Sequence, residues 1–284
     1  MAFTAEDVEA SVGARTATVE GTWSSKDALL YALAVGAGQD APFEELEYTT
    51  ENGAMPQKVL PSFVCVAGPR LGRPGVLEWD MRNLLHGAQS FQLFSTPKPD
   101  ARVTVVGQMD SVYDKGSAAV VNLSNEISNA ETGELIARTS SSLFIRGAGG
   151  WGGERGQDAP WERPDREPDE QIVYTTRTDQ ALLYRLTGDR NPLHSDPGFA
   201  KKAGFDRPIL HGMCTYGFTA RALLHSVADS NPDLFGGFSA RFSKTVLPGD
   251  TLTVSIWRTD DGARFQTSTQ SGEVVVDRGV MTLR

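Results

Sequence analysis

The sequence predicts an α+β fold built from two similar halves, each a long helix wrapped by an antiparallel sheet. Two short motifs occur twice, in the same order. Ala-Leu-Leu-Tyr stands at 28–31 and at 181–184, and Leu-His-Gly stands at 85–87 and at 210–212. Each half then ends in segments rich in Val, Thr, Phe and Ile that are separated by turn-forming Gly, Pro and Asp. Motifs repeated in a fixed order favour internal duplication, and such spaced strands are typical of an antiparallel meander.

A break in composition separates the halves. Six glycines lie between positions 146 and 156, and a stretch dense in charge and proline follows at 162–171. Neither stretch is suited to burying an apolar face, so we expect a connecting segment. The predicted organisation is therefore a first half at 1–146, a linker at 147–171 and a second half at 172–284.

The second half shows its elements in order. Apolar spacing predicts a helix over 178–186. Asp196 followed by Pro197 is a typical helix start, and Gly204 a typical end. A mainly apolar stretch predicts a long helix from Ile209 to about Val227. Four strands follow it, at 237–246, 251–257, 264–269 and 273–283.

The first half repeats the meander, with strands predicted at 102–112, 118–127 and 135–145. Its two motifs are farther apart than those of the second half. Tyr31 and His86 are 55 positions apart, whereas Tyr184 and His211 are 27 apart. The first half therefore carries an insert between its two landmarks.

Composition excludes several classes of protein. The chain has 284 residues, a net charge of −9 and two cysteines, Cys65 and Cys214. It has no apolar run of the roughly 18 residues that a membrane span needs, and its first residues lead us to expect no secretory signal. An acidic chain without a basic run argues against nucleic acid as a partner. Two cysteines fit a reducing cytosol, although one disulfide stays open, so we expect a cytoplasmic location.

The densest polar cluster lies between the two predicted helices of the second half, where Asp189, Asn191 and His194 fall within six residues. A histidine titrates near neutrality, and a neighbouring carboxylate can orient it, so such a pair suits proton transfer to and from water. Asn191 could hold the water or a substrate carbonyl. Each residue also has a plainer interpretation. Asp189 and Asn191 could simply shape a turn, and His194 could be an interior histidine.

His211 and Gly212 stand at the start of the predicted long helix. The first turn of a helix has N–H groups without intrahelical partners and carries the positive end of the dipole. A glycine there would let an oxyanion approach the backbone. The alternative is that Gly212 only eases helix packing and His211 caps the helix.

Other combinations point to no cofactor. His211, Cys214 and His225 on one helix do not make a zinc set, so we expect no metal. The glycines at 36 and 38 do not follow a strand, which argues against a dinucleotide loop. Several basic side chains could contact a phosphate or could simply face solvent: Lys201, Lys202, Arg207, Arg241 and Lys244.

Three runs of the second half resemble one known family. The run 184–200 is similar to the hydratase 2 motif of MaoC-like dehydratases, and the runs 204–217 and 241–252 fit its continuation. The duplicated layout resembles the full-length double-hotdog form of that family, which occurs in peroxisomal multifunctional enzymes and as separate bacterial enzymes. The resemblance covers nearly the whole chain, more weakly in the first half.

The resemblance implies (R)-specific, reversible hydration of trans-2-enoyl-CoA to (3R)-3-hydroxyacyl-CoA in fatty-acid or related metabolism, without metal or redox cofactor. It assigns the catalytic dyad to Asp189 and His194, a supporting role to Asn191 and the oxyanion-hole amide to Gly212. It also implies that the first half has lost the dyad and accommodates the acyl chain instead.

Substrate contacts are less specific in the sequence. Because CoA is a polyanion and the chain is acidic, some basic residues are expected to gather at the CoA mouth. Arg241 and Lys244 are the candidates there, and His211 is a further candidate substrate-binding residue.

Two other functions stay open. One is a hotdog acyl-CoA thioesterase, and the other is a non-catalytic acyl-thioester binding module. The acyl group could be straight, branched or steroid-derived. We also expect a bacterial cytoplasm rather than a peroxisome, because the final residues are not a Ser-Lys-Leu-type address, and a homodimer of double-hotdog subunits.

Overall fold

The computed structural model describes residues 2–157 and 160–284. The strands of the first half are β1 (Val19–Trp23), β2 (Leu84–Leu93), β3 (Ala101–Asp114), β4 (Ala118–Asn129) and β5 (Leu135–Arg146). Those of the second half are β6 (Glu170–Thr175), β7 (Phe235–Phe242), β8 (Thr251–Thr259), β9 (Gly262–Thr269) and β10 (Val274–Leu283). The helices are α1 (Ala5–Ser11), α2 (Ser25–Ala34), α3 (Leu46–Thr49), α4 (Gln180–Tyr184), α5 (Pro197–Lys202) and α6 (Gly212–Val227).

All ten strands form one antiparallel sheet in the order β1-β3-β4-β5-β2-β7-β10-β9-β8-β6. Each half has the same order when it is followed inward from its outer edge, so β1 corresponds to β6 and β2 to β7. The halves join where β2 pairs with β7, with Ser90 opposite Ser239. The predicted α+β class and the two hotdog repeats are confirmed.

The second-half helices match their predictions closely. Asp196 caps α5 by accepting the Phe199 N–H at 2.8 Å. The long helix α6 begins at Gly212, three residues later than Ile209, because His211 has an extended backbone (φ −60°, ψ 131°). Nearly every residue of α6 after its first turn is buried, so this helix forms the centre of the core.

The prediction of a long helix in the first half is wrong. Its longest described helix is the ten-residue α2. The Leu-His-Gly motif at 85–87 lies within strand β2, and its second-half counterpart stands at the start of a helix. The reason is local periodicity: Gln89, Phe91 and Leu93 are buried at alternate positions, as in a strand. The Ala-Leu-Leu-Tyr motif does mark equivalent helices, α2 and α4, each following the first strand of its half.

Small residues bring α2 and α6 into close contact across the two halves. A Cβ atom on Gly217 would overlap with the Val35 side chain, and one on Gly36 would overlap with the Phe218 ring. Gly36 also has φ +83°, a conformation that favours glycine. The two halves therefore share one helical core and cannot separate without exposing it.

A buried ion cluster adds a polar contact at this junction. Arg221 of α6 donates to both carboxylate oxygens of Glu45, at 2.7 and 2.9 Å, and His225 Nε2–H donates to the same carboxylate at 2.7 Å. Burial alone would raise the pKa of Glu45. The hydrogen bonds from His225 and Arg221 outweigh burial and lower this pKa to about 2. The cluster therefore ties the first half to the central helix with a charged carboxylate.

The glycine-rich part of the predicted linker is more ordered than its composition indicates. Asp114 at the end of β3 accepts the N–H groups of Gly150 and Gly152, both at 2.9 Å. Ala148 is buried, and the Trp151 ring packs on Phe3 at 6.0 Å. The expectation that this stretch buries no apolar group is therefore wrong. The boundaries 1–146, 147–171 and 172–284 stay a prediction.

Two further observations bear on the excluded classes. No helix within residues 2–157 and 160–284 is long and apolar enough to cross a membrane. Cys65 and Cys214 are both free thiols, Cys214 buried in α6 and Cys65 half-buried.

Candidate active site

Short-range hydrogen bonds hold the conformation of the loop between α4 and α5. Asp189 Oδ1 accepts the Asn191 N–H at 3.1 Å, and Asn191 Oδ1 accepts the Leu193 N–H at 3.0 Å. Gly188 turns the chain just before, at φ +132°. The Asn191 oxygen therefore caps the turn Pro192–His194, as the plainer interpretation held, and leaves its amide nitrogen as the group that can donate to a ligand.

His194 is held in one tautomer. It is 9% exposed, and its Nδ1–H donates to the Ile209 carbonyl oxygen at 2.9 Å. Because a carbonyl oxygen only accepts, the neutral ring carries its proton on Nδ1 and presents a bare Nε2. Burial lowers the pKa of His194, while the Ile209 bond and the charge of Asp189 act in the opposite direction. A neutral imidazole that can accept a proton is the result.

His211 lies directly against this ring. The His194 and His211 ring centroids are 3.8 Å apart with an interplanar angle of 29°. His211 is 1% exposed, and its Nε2–H donates to the Asp189 backbone oxygen at 3.3 Å. Burial and the neighbouring His194 lower the pKa of His211 to about 4. Asp189, His194 and His211 are thus brought together; the sequence grouped Asp189 with His194 and placed His211 in a separate candidate site.

The three side chains surround a small space. One oxygen or nitrogen atom of each residue lies within 4.8 Å of the others, and Asp189 is exposed while both histidines are buried. That spacing can bind one water molecule or one small cation. The expectation that the site works without a metal stays a prediction.

Gly212 places the helix N-terminus beside this space. Its amide belongs to the first turn of α6, where N–H groups have no partner within the helix. A Cβ atom here would lie 3.3 Å from Phe242 Cδ1, tighter than ordinary contact. Gly212 therefore also serves close packing, which was the alternative interpretation, and the His211 side chain makes no capping hydrogen bond to α6.

The two basic candidates lie on and just after strand β7. Arg241 is exposed on β7, and strand alternation points it to the face opposite Phe242, whose ring contacts His86 and Gly212. Lys244 is exposed just beyond the end of β7. The structure does not bring Arg241 to the side of the sheet that holds the histidines. A CoA contact for Arg241 or Lys244 stays a prediction.

The first half contributes two further residues, of which the sequence analysis missed Arg70. The guanidinium of Arg70 donates to the Gly188 carbonyl oxygen beside Asp189. The His86 ring stands 5.0 Å from Phe242, and its Nε2–H donates to Gln89 Oε1 at 3.1 Å. The repeat marks His86 as a landmark, and the structure places it within strand β2. Arg70 lies in an irregular loop and gives no signal in the sequence.

We expect the free energy of unfolding to fall as pH drops from 6.5 towards 4. His211 has a pKa of about 4 in the folded protein and the ordinary value of 6.5 when unfolded. The unfolded chain therefore binds more protons in this window, so the stabilisation is complete above pH 6.5 and is lost on acidification. The slope reaches about 1.4 kcal/mol per pH unit. Urea unfolding at several pH values measures it, and His211→Gln should flatten the curve. An unchanged slope in that variant would contradict the assignment.

Comparisons with known proteins identify the families and relatives that this chain resembles. The MaoC like domain family matches residues 160–280, and the MFE-2 hydratase 2 N-terminal domain family matches residues 22–147. The 3-hydroxyacyl-thioester dehydratase Y of Mycobacterium tuberculosis is 42% identical over 95% of this chain and 96% of its own length. Enoyl-CoA hydratase ChsH3 of the same organism is 40% identical over 92% of each chain.

Among solved structures, a MaoC-like dehydratase from Phytophthora capsici superposes with a TM-score of 0.88. It is 28% identical, and the match covers 98% of this chain and 97% of that one. Fold and site together define a double-hotdog protein with a polar loop at the start of the second repeat's central helix. The chain belongs to the MaoC-like dehydratase family, in the full-length form that carries a hydratase 2 N-terminal domain.

Proposed function

We propose that the protein catalyses the reversible, (R)-specific hydration of trans-2-enoyl-CoA to (3R)-3-hydroxyacyl-CoA. The observation that carries this proposal is His194, whose Nδ1–H bond to Ile209 leaves Nε2 able to accept a proton. A ring nitrogen of His194 lies within 4.8 Å of an Asp189 carboxylate oxygen, and the ring stacks on His211 at the start of α6. Two relatives with more than 90% coverage are named a hydratase of enoyl-CoA and a dehydratase of 3-hydroxyacyl thioesters. These names describe the two directions of one reaction.

The residues divide the chemistry between them. Asp189 and His194 hold a water molecule and take its proton as the oxygen forms a bond to C3. A proton is delivered to C2 on the same face, so water adds across the double bond. General acid–base catalysis of this kind contributes about 10²–10⁴-fold. The Gly212 N–H stabilises the enolate-like charge on the thioester oxygen, and one such donor contributes about 10²–10³-fold. Asn191 supports the water or the carbonyl through its amide.

The first half is proposed to accommodate the acyl chain. When the repeated Ala-Leu-Leu-Tyr motifs are aligned, the positions that correspond to Asp189 and His194 hold Gly36 and Ala41. The insert at 39–83 reaches the junction through Glu45 and the site through Arg70. A homodimer and a bacterial cytoplasmic location remain part of the proposal. Light scattering and fractionation of the native host test them.

Steady-state hydration across short, medium and long trans-2-enoyl-CoA substrates tests the function. Loss of the conjugated thioester follows the reaction, and chiral analysis of the product gives the configuration. We expect the (3R) alcohol and no free CoA. Release of free thiol would favour the thioesterase. Binding without turnover would favour the acyl-thioester binding module. A (3S) product would contradict the proposal.

A further inference from the structure

We propose that His211 is a positioning residue that holds both members of the dyad in register with the Gly212 amide. The inference rests on the proposed function, since it concerns the geometry of that same site. His211 sits behind Asp189 and His194, fully inside the protein, and makes three separate contacts that support this role.

The first contact fixes the backbone of the exposed Asp189 loop. The carboxylate of Asp189 accepts a bond from Asn191 N in its own loop, which does not anchor the loop to the core. The His211 Nε2–H supplies such an anchor by donating to the Asp189 carbonyl oxygen at 3.3 Å. Because that oxygen only accepts, neutral His211 must carry its proton on Nε2. The single N–H of the neutral His211 imidazole is therefore used to hold the Asp189 loop.

The second contact fixes the catalytic ring. His194 lies 3.8 Å from His211 in a stacked arrangement, and its other anchor is the Nδ1–H bond to Ile209. One contact sets the tilt of the His194 ring and the other sets its rotation. Together they decide where the bare Nε2 points. A stacked neutral ring also shields His194 from water without adding a positive charge, in line with the lowered pKa of both histidines.

The third contact ties this arrangement to the oxyanion amide. His211 immediately precedes Gly212, and its carbonyl oxygen accepts the N–H groups of Cys214 at 3.0 Å and Thr215 at 3.3 Å. The backbone of His211 is therefore part of the first turn of the buried helix α6. One residue thus fixes the distance from the dyad to the Gly212 N–H. A misplacement of about 1 Å between such groups can cost on the order of 10²-fold in rate.

In the proposed reaction the water lies between Asp189 and His194, and His211 takes no direct part. Its Nε2–H donates to the Asp189 carbonyl oxygen, and its Nδ1 is buried with no hydrogen-bond partner among the described residues. The charged and titratable groups that face the two rings come from several elements. Asp189 in the loop acts on both histidines, and His194 and Arg185 act on His211. The Tyr184 ring of α4 packs on His211 at 4.9 Å. The sequence suggested His211 as a substrate-binding residue. The structure favours a role behind the dyad.

Two matched variants separate the contribution of the His211 ring from that of its hydrogen bond to Asp189. His211→Phe keeps a flat ring against His194 and removes the donor to Asp189. His211→Gln removes the ring but returns an N–H group near the Nε2 position. We expect His211→Phe to lower kcat by about 10–100-fold, with a smaller change in KM, the size of loss seen when a metal-ligating histidine loses its orienting hydrogen bond. His211→Gln should recover at least part of that loss. His225→Gln, on the same helix but at the Glu45 cluster, is the control and should keep kcat.

The acid limb of kcat/KM gives a second measurement, which a purely structural role would not move. Without the ring of His211, His194 is less buried, so its pKa rises towards the ordinary value and the acid limb of His211→Gln moves to higher pH. The pH profile of His211→Gln also tests the positioning role of His211 if His211→Phe does not fold. An unmoved limb in His211→Gln, or wild-type kcat in His211→Phe, would overturn the inference.

Failure of the inference is distinguishable from failure of the proposed function. Asp189→Asn and His194→Gln are measured in parallel with the same substrate. If both lose activity while the His211 variants behave as wild type, the positioning role is wrong and the dyad stands. If Asp189→Asn and His194→Gln retain activity, the proposed function itself is wrong.

Discussion

Asp189→Asn and His194→Gln each lower the rate of enoyl-CoA hydration by about 10²–10⁴-fold while the protein stays folded. The amide introduced in place of the Asp189 carboxylate would keep the size of the side chain but could not take a proton from water. Glutamine in place of His194 is likewise unable to act as a base at neutral pH. Asp189 is exposed and its side chain accepts a bond from Asn191 N in its own loop, so its replacement leaves the core untouched. Stopped-flow or steady-state hydration assays measure the rate, and thermal unfolding reports the fold.

The loop offers its own control. Asp196→Asn makes the same chemical change seven positions along the chain, at the N-cap of α5, where asparagine caps about as well as aspartate. Its rate should stay close to that of the wild type. Equal losses in Asp196→Asn and Asp189→Asn would mean that the loop has merely been disturbed. Wild-type turnover in either dyad variant would contradict the site.

Arg221→Met destabilises the protein by about 3–5 kcal/mol. The Arg221 and Glu45 side chains are 6% and 15% exposed, so removing the guanidinium leaves a buried carboxylate that has lost its bidentate partner. His225 still donates to Glu45, but one hydrogen bond does not replace two. The cost is expected to be large because the fold depends on this contact between the halves. Urea denaturation at neutral pH measures it.

A double variant tests the cause. Adding Glu45→Gln to Arg221→Met removes the unpaired charge. The double variant should therefore lose less free energy of unfolding than the sum of the losses in the two single variants. Arg177→Met is the comparison, since Arg177 and Asp179 form an ion pair with both side chains about half exposed, and such pairs contribute little. Strict additivity in the first pair, or an equally large loss at Arg177, would contradict the explanation.

The candidate site could be predicted because much of its structure is local. The caps at Asn191 and Asp196, the turn at Gly188 and the helix start at Gly212 are all encoded within a few residues of where they act. Local signals of this kind survive in the folded chain because they satisfy the backbone wherever the segment is placed. The spacing of Asp189 and His194 therefore predicted a real neighbourhood.

The first half could not be predicted in the same way. A three-letter match at 85–87 contains too little periodicity to distinguish a strand from a helix, and the alternation at 89, 91 and 93 was the better signal. The position of Arg70 beside Gly188 depends on how an irregular loop packs across the molecule. The surroundings of His86 depend on the pairing of β2 with both β5 and β7. Contacts between distant segments have no counterpart in a local pattern.

The pairing of β2 with β7 also determines how the site depends on protein concentration. Two separate hotdog chains would have to meet in solution before such a seam could form, and dilution would take them apart. Here the covalent connection keeps strands β2 and β7 at a high effective concentration, so the two halves stay paired. The contacts that Arg70 and Glu45 make with the second half are therefore available at any dilution. One copy of the loop that carries Asp189 and His194 is enough for the site. The first half, which lacks this pair, is therefore free to change in shape.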